Sequence, residues 1–510
     1  MNSKIIVQFF SFLLIVNCSF SQKSSIDTLD KYIPDLIQYF GAPGLAISIV
    51  QDGEIKYSKG FGIKTINKND TVDSNTLFAI GSITKSFTAV ALAMLVDEGK
   101  IEWDDKVIKY VPYFQLYDPY VTSTFTIRDL LTHRSGLKEV SGGTLWYHSD
   151  LSREDIIRGL KYLDPVTDFR TSPAYQNTMF LVASKVLESV AGEPWEDFVR
   201  KRIFEPLGMV STVISKAERQ VSQNISSPHI GNEESEIITI EQEKLDNIAP
   251  AGAIYSCAND MARYMNFWLS NGIVGNDTIL SKTVFNEILK PQIHFQGFAK
   301  PIHNEFTSYG FGWWLTPKNG NKIIDHSGGV DGMVANLIMV KNRNFGVIVL
   351  TNSSAARWAP FTLTFDIIGS FLQDTDYKNV SSFLKSNFLK TNSIQVEKRK
   401  GIQNSRIINT KPSLTMEKYA GTFNDEMYGD IFLNYENKSL RIKFSHTPLF
   451  TGILTHWHYD TFEIDWEDPR VPNGFITFEF NSDGTISGFK LNQPDLLDVD
   501  FTELEIKRRS

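Results

Sequence analysis

Two groups of strand-like segments, far apart in the chain, constrain the fold more than any other feature. The first is a hairpin in which Gly44-Leu45-Ala46-Ile47-Ser48-Ile49-Val50 and Ile55-Lys56-Tyr57-Ser58-Lys59-Gly60-Phe61 flank the turn Gln51-Asp52-Gly53-Glu54. The second comes much later: Tyr309–Leu315, Lys322–His326, Met333–Val340 and Gly346–Asn352, divided by Lys318-Asn319-Gly320, Gly328-Gly329 and Lys341-Asn342-Arg343-Asn344. Between them the pattern is mostly helical, most clearly from Thr126 to Phe204. Early strands, a helical insert and late strands predict an α/β domain: one antiparallel sheet closed by both ends of the domain, helices on its faces, and a second, helical lobe across a cleft. Ahead of the hairpin, apolar residues at Ile26, Leu29, Ile33, Leu36, Ile37 and Phe40 predict a surface-packed helix.

At 510 residues the chain is too long for one ordinary core. Beyond Gln373 its character changes. Asp374, Asp376, Lys378, Asn379, Ser381-Ser382 and the basic run Lys398-Arg399-Lys400 lead to Pro412 with little apolar periodicity, and read as a linker with one short helix. From Tyr419 to Ile506 nearly everything signals strand, with hairpins turning at Asn437 and at Ser482-Asp483-Gly484, which predicts a small antiparallel barrel. The expected division is therefore 22–372 for the α/β domain, 373–412 for the linker and 413–510 for the barrel.

Residues 1–21 read as an export signal. Lys4 precedes the apolar run Ile5 to Val16, and Ser19 and Ser21 flank Phe20 ahead of Gln22. Export to periplasm or medium is the expectation, ahead of a lipid anchor on Cys18, whose preceding Asn17 is not the small residue such sites prefer. No later apolar run reaches the length of a membrane span. Without the leader only Cys257 remains, so no intrachain disulfide can form and the fold must stand on its core. A net charge of −8 argues against a nucleic-acid surface.

Three short motifs carry chemistry. Phe78-Ala79-Ile80-Gly81-Ser82-Ile83-Thr84-Lys85 turns into the apolar helix Ser86 to Val96, which places Ser82 and Lys85 on one face at a helix start. Burial there lowers a lysine's pKa and lets it take a serine proton. The spacing alone is cheap, since Ser135–Lys138, Ser382–Lys385 and Ser487–Lys490 share it. The second motif is the loop Ser172-Pro173-Ala174-Tyr175-Gln176-Asn177, which precedes a helix and offers a phenol for proton transfer and an amide for a carbonyl. The third is Ile323-Ile324-Asp325-His326-Ser327-Gly328-Gly329-Val330-Asp331-Gly332, where a strand ends in glycines that let a substrate backbone approach. The amides of Ser82 and Gly329 are the candidate oxyanion donors.

In this order, Ser82-x-x-Lys85, Tyr175-x-Asn177 and His326-x-Gly328 resemble the three active-site elements of the serine β-lactamase and penicillin-binding-protein superfamily, nearest its class C and D-aminopeptidase-like branch. Thr126 to Leu137, Ile203 to Met209 and Asp260-Met261-Ala262-Arg263 add to the likeness, which spans Ile26 to Leu372. The resemblance implies Ser82 as nucleophile, Lys85 as its base and Tyr175 as acid and base through the lysine. It implies Asn177, His326 and Gly328 as substrate-orienting residues, and a hydrolase that works through an acyl-enzyme on small amides or esters, among them D-residue peptides or cell-wall fragments. No metal or organic cofactor is implied; the partner is a small-molecule or peptide substrate, and the oligomeric state stays open.

Two departures bear on substrate. Lactamases of this group place a lysine where His326 stands, and a tyrosine where this chain has Gly252. Both weaken a β-lactamase reading; a non-catalytic binding module is the alternative of another class. His133 and Arg134 read as scaffold of the helical lobe. The barrel, through Tyr419-Ala420-Gly421-Thr422-Phe423 and His456-Trp457-His458-Tyr459-Asp460-Thr461-Phe462, resembles a lipocalin-like appendage. His456 and His458 share a strand face there, but without a third ligand they read as structural rather than metal-binding.

Overall fold

A computed structural model describes residues 28–231, 236–295, 306–493, 496 and 498–509. The export signal expected at 1–21 lies outside the described residues, as does Ile26. The predicted helix is present as α1, Leu29–Phe40, with Leu29, Ile33, Leu36 and Phe40 buried and Gly41 closing it in a left-handed turn. The hairpin follows as β1 (Gly44–Gln51) and β2 (Glu54–Gly62).

The Ser82 motif opens as a short 3-10 turn, Gly81–Ile83, that runs into α2, Thr84–Asp97. Sequence spacing marks one apolar face on α2, whereas every residue from Thr84 to Leu95 is buried. This is a central helix, enclosed by the sheet on one side and the helical lobe on the other, so no face of it is left for water. The lobe contributes α3, Thr178–Ala191, and the chain returns to the sheet through α4, Ala258–Leu269.

Six more strands complete the sheet: β3 (Ile293–His294), β4 (Ser308–Tyr309), β5 (Trp314–Lys318), β6 (Asn321–Val330), β7 (Met333–Val340) and β8 (Phe345–Thr351). The order is β2-β1-β8-β7-β6-β5-β4-β3, antiparallel throughout, so the two ends of the domain meet at the β1–β8 pair as the sequence pattern requires. Two strand assignments differ from expectation. Tyr309–Leu315 is two strands, because the chain turns back between them, with Gly310 N–H bonded to the Trp313 carbonyl at 2.9 Å. And β6 does not stop at His326; it pairs on through Gly328, Gly329 and Val330 with Ala335, Val334 and Met333.

The alternation along β7 shows how the sheet is buried. Met333, Ala335, Leu337 and Met339 join the apolar layer that holds α2 and α4, while Ile338 and Val340 join the layer beneath α1. That second layer is finished by α5 (Trp358–Leu372) and α6 (Thr375–Asn404). The stretch expected to be a linker with a short helix is thus a helix of 30 residues. Asp374 caps it, and Tyr377, Val380 and Leu384, spaced three and four apart, bury its first turns beneath the sheet.

From Gly421 to Arg508 eight strands close an antiparallel barrel, as predicted. It is not an independent bead. Its core is continuous with that of the α/β domain, and its last loop is driven into the helical lobe. Glu503 accepts from the Gly142 N–H at 3.0 Å and from Ser141; Asp500 pairs with Lys138; His446 pairs with Asp150 at 2.8 Å and its carbonyl takes the Asp150 N–H at 2.9 Å. At Gly143 the approach is so close that a Cβ would lie 1.6 Å from the Asp498 carbonyl oxygen. Gly143→Ala is therefore expected to cost about 1–3 kcal/mol and to pry the barrel from the lobe, which urea denaturation will register as a lower midpoint and a split transition.

Candidate active site

The three motifs converge. Lys85, wholly buried at the start of α2, donates to Ser82 Oγ at 2.9 Å, to Asn177 Oδ1 at 2.7 Å and to the Ala251 carbonyl at 3.0 Å. An ammonium has three donors, and all three are used. None of these acceptors is a carboxylate. Burial without a paired anion pushes the Lys85 pKa down to about 7, opposed in part by the field of Asp498. A lysine in that range is a usable base at neutral pH, and the serine it faces is the one residue of the trio still part-exposed to the cleft.

Asn177 shows how local structure serves the site. It is the N-cap residue of α3, where asparagine is favoured because its side chain can hold a free helix N–H. Here that side chain makes no cap and holds Lys85 instead. Tyr175 stands two residues earlier, its ring 4.8 Å from Lys85 Nζ. Its hydroxyl is buried without a hydrogen-bond partner. Burial pushes that phenol above its ordinary pKa, with the neighbouring Ser82 hydroxyl partly opposing, so it is protonated at neutral pH.

On the opposite wall, β6 is held against the Ser82 turn by backbone alone. A Cβ on Gly328 would lie 1.9 Å from the Ile80 carbonyl oxygen, and one on Gly81 would lie 2.6 Å from the Gly329 nitrogen. No side chain fits at either position, and the amides of Ser82 and Gly329 are thereby brought side by side. Gly329 itself is exposed and has nothing within 4 Å of its missing side chain, which leaves this strand edge open to a ligand.

His326 is present on this wall, but not as a charge. Its Nδ1 donates to the Ser327 carbonyl at 2.6 Å and its Nε2 accepts from Tyr309 Oη at 3.0 Å, an assignment that fixes the neutral tautomer. Burial, with Lys85 nearby, pushes its pKa down to about 3. It shapes the wall and cannot meet a substrate carboxylate as a lysine would.

Several residues were not legible in the motifs. Asp498 comes from the barrel, in a left-handed backbone conformation (φ 63°), and lines the cleft within electrostatic reach of Lys85, Asp331 and Glu139. Burial pushes its carboxyl up, yet part of its surface still meets solvent. Asp331 closes the third motif and accepts from Tyr147 Oη at 2.9 Å and from His148 Nε2 at 3.1 Å; its N–H is held by Glu243 at 3.0 Å. Donor atoms of His148, Glu243 and Asp331 lie within 4.8 Å of one another, and Arg470, paired with Asp468, has its Nη1 3.4 Å from His148 Nε2. The His456 and His458 pair does not form a metal site among the described residues; His456 is bonded to the Tyr459 carbonyl and His458 to the Ile407 N–H. Finally His133, set aside as scaffold, lies directly behind Tyr175, with ring centroids 4.3 Å apart.

Among the described residues no helix is long and apolar enough to cross a membrane. Residues 405–508 match a domain of unknown function, DUF3471. The unguisins hydrolase ungD of Aspergillus violaceofuscus is 27% identical over 346 residues, which make up 64% of this chain and 61% of that protein; the chain thus spans less than two thirds of this curated relative. Of solved structures, the octameric penicillin-binding protein homologue from Pyrococcus abyssi superposes with a TM-score of 0.62 at 22% identity, covering 92% of this chain and 99% of that one. A D-stereospecific amidohydrolase from Streptomyces sp. gives a TM-score of 0.52 at 22% identity, over 65% of this chain and 94% of that one. Both share the fold. The family described as Beta-lactamase matches residues 29–360, well over half of the chain, and the protein belongs to the β-lactamase and penicillin-binding-protein superfamily.

Proposed function

We propose that the protein is an exported serine hydrolase that cleaves small amides or esters through an acyl-enzyme on Ser82. The observation that carries this reading is the buried Lys85 ammonium, held by Ser82, Asn177 and Ala251 with no counter-ion in contact. In the forward step Lys85, as free amine, takes the Ser82 proton while Oγ attacks the substrate carbonyl; the amides of Ser82 and Gly329 hold the oxyanion. The proton then passes from Lys85, by way of the Tyr175 hydroxyl, to the leaving nitrogen or oxygen. Water repeats the sequence in reverse order of protonation and frees the acid. Asn177, His326 and Gly328 orient the acyl group along β6. No metal or cofactor enters any step. The domain division proposed is an α/β domain that begins at 22 and takes in α6, in place of a linker over 373–412, followed by a lipocalin-like barrel at 413–510.

The electrostatics of the cleft favour peptidase or esterase over β-lactamase. Where a lactam's carboxylate would need a cation, His326 is neutral, and burial pushes the far-wall acids Glu243 and Asp498 toward their uncharged forms. A wall without a cation at this place favours substrates that bring no carboxylate to it. One similar protein is named a hydrolase and another a D-stereospecific amidohydrolase, and the second name is in keeping with amides of D-residues as the substrate class.

Ser82→Ala is expected to lower kcat on a chromogenic ester by at least about 10³-fold with an unchanged melting curve, and to abolish the single adduct that a fluorophosphonate leaves on the wild type by intact mass. An adduct retained by the variant would move the nucleophile elsewhere. The ascending limb of kcat/KM against pH is expected at a midpoint near 7, because Lys85 must be deprotonated to act and gains its proton as the pH falls through that value. His326→Asn is expected to leave the limb in place; a limb that moves with His326 would assign the base to the histidine.

A further inference from the structure

His133 has no part in the reaction as written, yet it touches the residue that carries the proton. It sits in the turn after the short helix Ile127–Leu130, completely buried, with φ at +55°. That left-handed conformation is uncommon for a residue with a side chain. Here it turns both of His133's acceptors toward one loop: its carbonyl takes the Ala174 N–H at 2.8 Å, and its Nδ1 takes the Gln176 N–H at 3.0 Å. One residue thus grips the backbone on either side of Tyr175. Its ring meanwhile lies against the Tyr175 ring at 4.3 Å, with Tyr309 at 4.5 Å and Phe180 at 5.5 Å.

The turn that presents His133 is itself rigidly held. Asp129, fully buried, is capped to Thr126 and accepts from Arg134 at 2.7 Å and from Arg170 at 2.6 Å. Because a backbone N–H points into Nδ1, that nitrogen bears no proton, and the ring's single proton is on Nε2, which has no hydrogen-bond partner. A phenyl ring would fill the same space with no stranded donor. What the imidazole adds is the acceptor.

We propose that His133 is a positioning residue for Tyr175: a neutral imidazole that takes no proton in the cycle and fixes the phenol over Lys85 and Ser82 by gripping its two neighbours' amides and one face of its ring. The inference rests on the proton-carrying role given to Tyr175 above, and it concerns geometry that the motif spacing does not contain. The Tyr175 hydroxyl faces only the rotatable hydroxyl of Ser82 among the described residues, so its position depends on what grips the loop and the ring.

The test is a double-mutant cycle read on p-nitrophenyl butyrate. His133→Phe keeps a ring and loses the acceptor; it is expected to lower kcat about 10- to 100-fold with KM within about twofold. His133→Asn keeps an acceptor near the Nδ1 position and tolerates the left-handed turn, and is expected to recover kcat to within about fivefold of wild type. Introduced into Tyr175→Phe, His133→Phe is expected to cause no further loss. Losses that multiply in the double variant, or an asparagine variant as impaired as the phenylalanine one, would show a general structural role and overturn the inference alone. A Tyr175→Phe enzyme with undiminished kcat would overturn the role of Tyr175 and this inference with it. Should His133→Phe not fold, His133→Gly, which allows the turn and lacks the acceptor, takes its place in the same cycle.

Discussion

The structure depends on one buried cation. Lys85 is enclosed at the start of a helix with no face toward water, and burying an ammonium costs several kcal/mol unless it is paired or hydrogen-bonded. The fold satisfies its geometry but not its charge. Three neutral oxygens take its three protons, drawn from the turn of Ser82, the start of α3 and the segment before α4. A carboxylate in direct contact would have made the lysine a stable ion and useless as a base. Neutral acceptors hold it in position while leaving it able to lose a proton. Both lobes and the sheet must be in register for this, so a small error anywhere among them is felt at one nitrogen.

The same economy appears on the strand wall. His326 spends both ring nitrogens on the Ser327 carbonyl and the Tyr309 hydroxyl, so it contributes shape and no charge. Gly328 and Gly81 contribute absence: backbone packs on backbone, and the two amides that would hold an oxyanion are fixed by a contact no side chain allows. Opposite them, Asp498 from the barrel joins Glu243 and Asp331 of the α/β domain. The cleft thus holds a buried lysine at its centre and a group of acids at one end, each pushed by burial toward its uncharged form where it is most enclosed.

How much of this was legible in the sequence follows from how local each feature is. The β1–β8 closure was readable because two hairpin-like groups with a mostly helical stretch between them leave few other arrangements. Ser82, Lys85, Tyr175, Asn177, His326 and Gly328 were readable as motifs, and the structure brings them into one cleft. The extent of β6 was not, since Ser327-Gly328-Gly329 has the composition of a turn and is kept extended only by pairing with β7. Helix α6 was missed because its polar outer face masks the Tyr377, Val380 and Leu384 stripe. Asp498 left no local trace: its partners are all in another domain. His133 was visible but mute, since its role follows from where Ala174 and Gln176 come to lie.

The barrel's insertion has a consequence for the order of events during synthesis. Ser82, Lys85, Tyr175 and His326 are all made before any barrel strand, while the cleft's acidic wall at Asp498 and the clasp of Asp500 and Glu503 on the helical lobe come from near the end of the chain. A nascent chain can therefore bring Ser82 and Lys85 together long before the Asp498 side of their cleft exists. The Asp498 side of the cleft is completed last, when the barrel closes and docks.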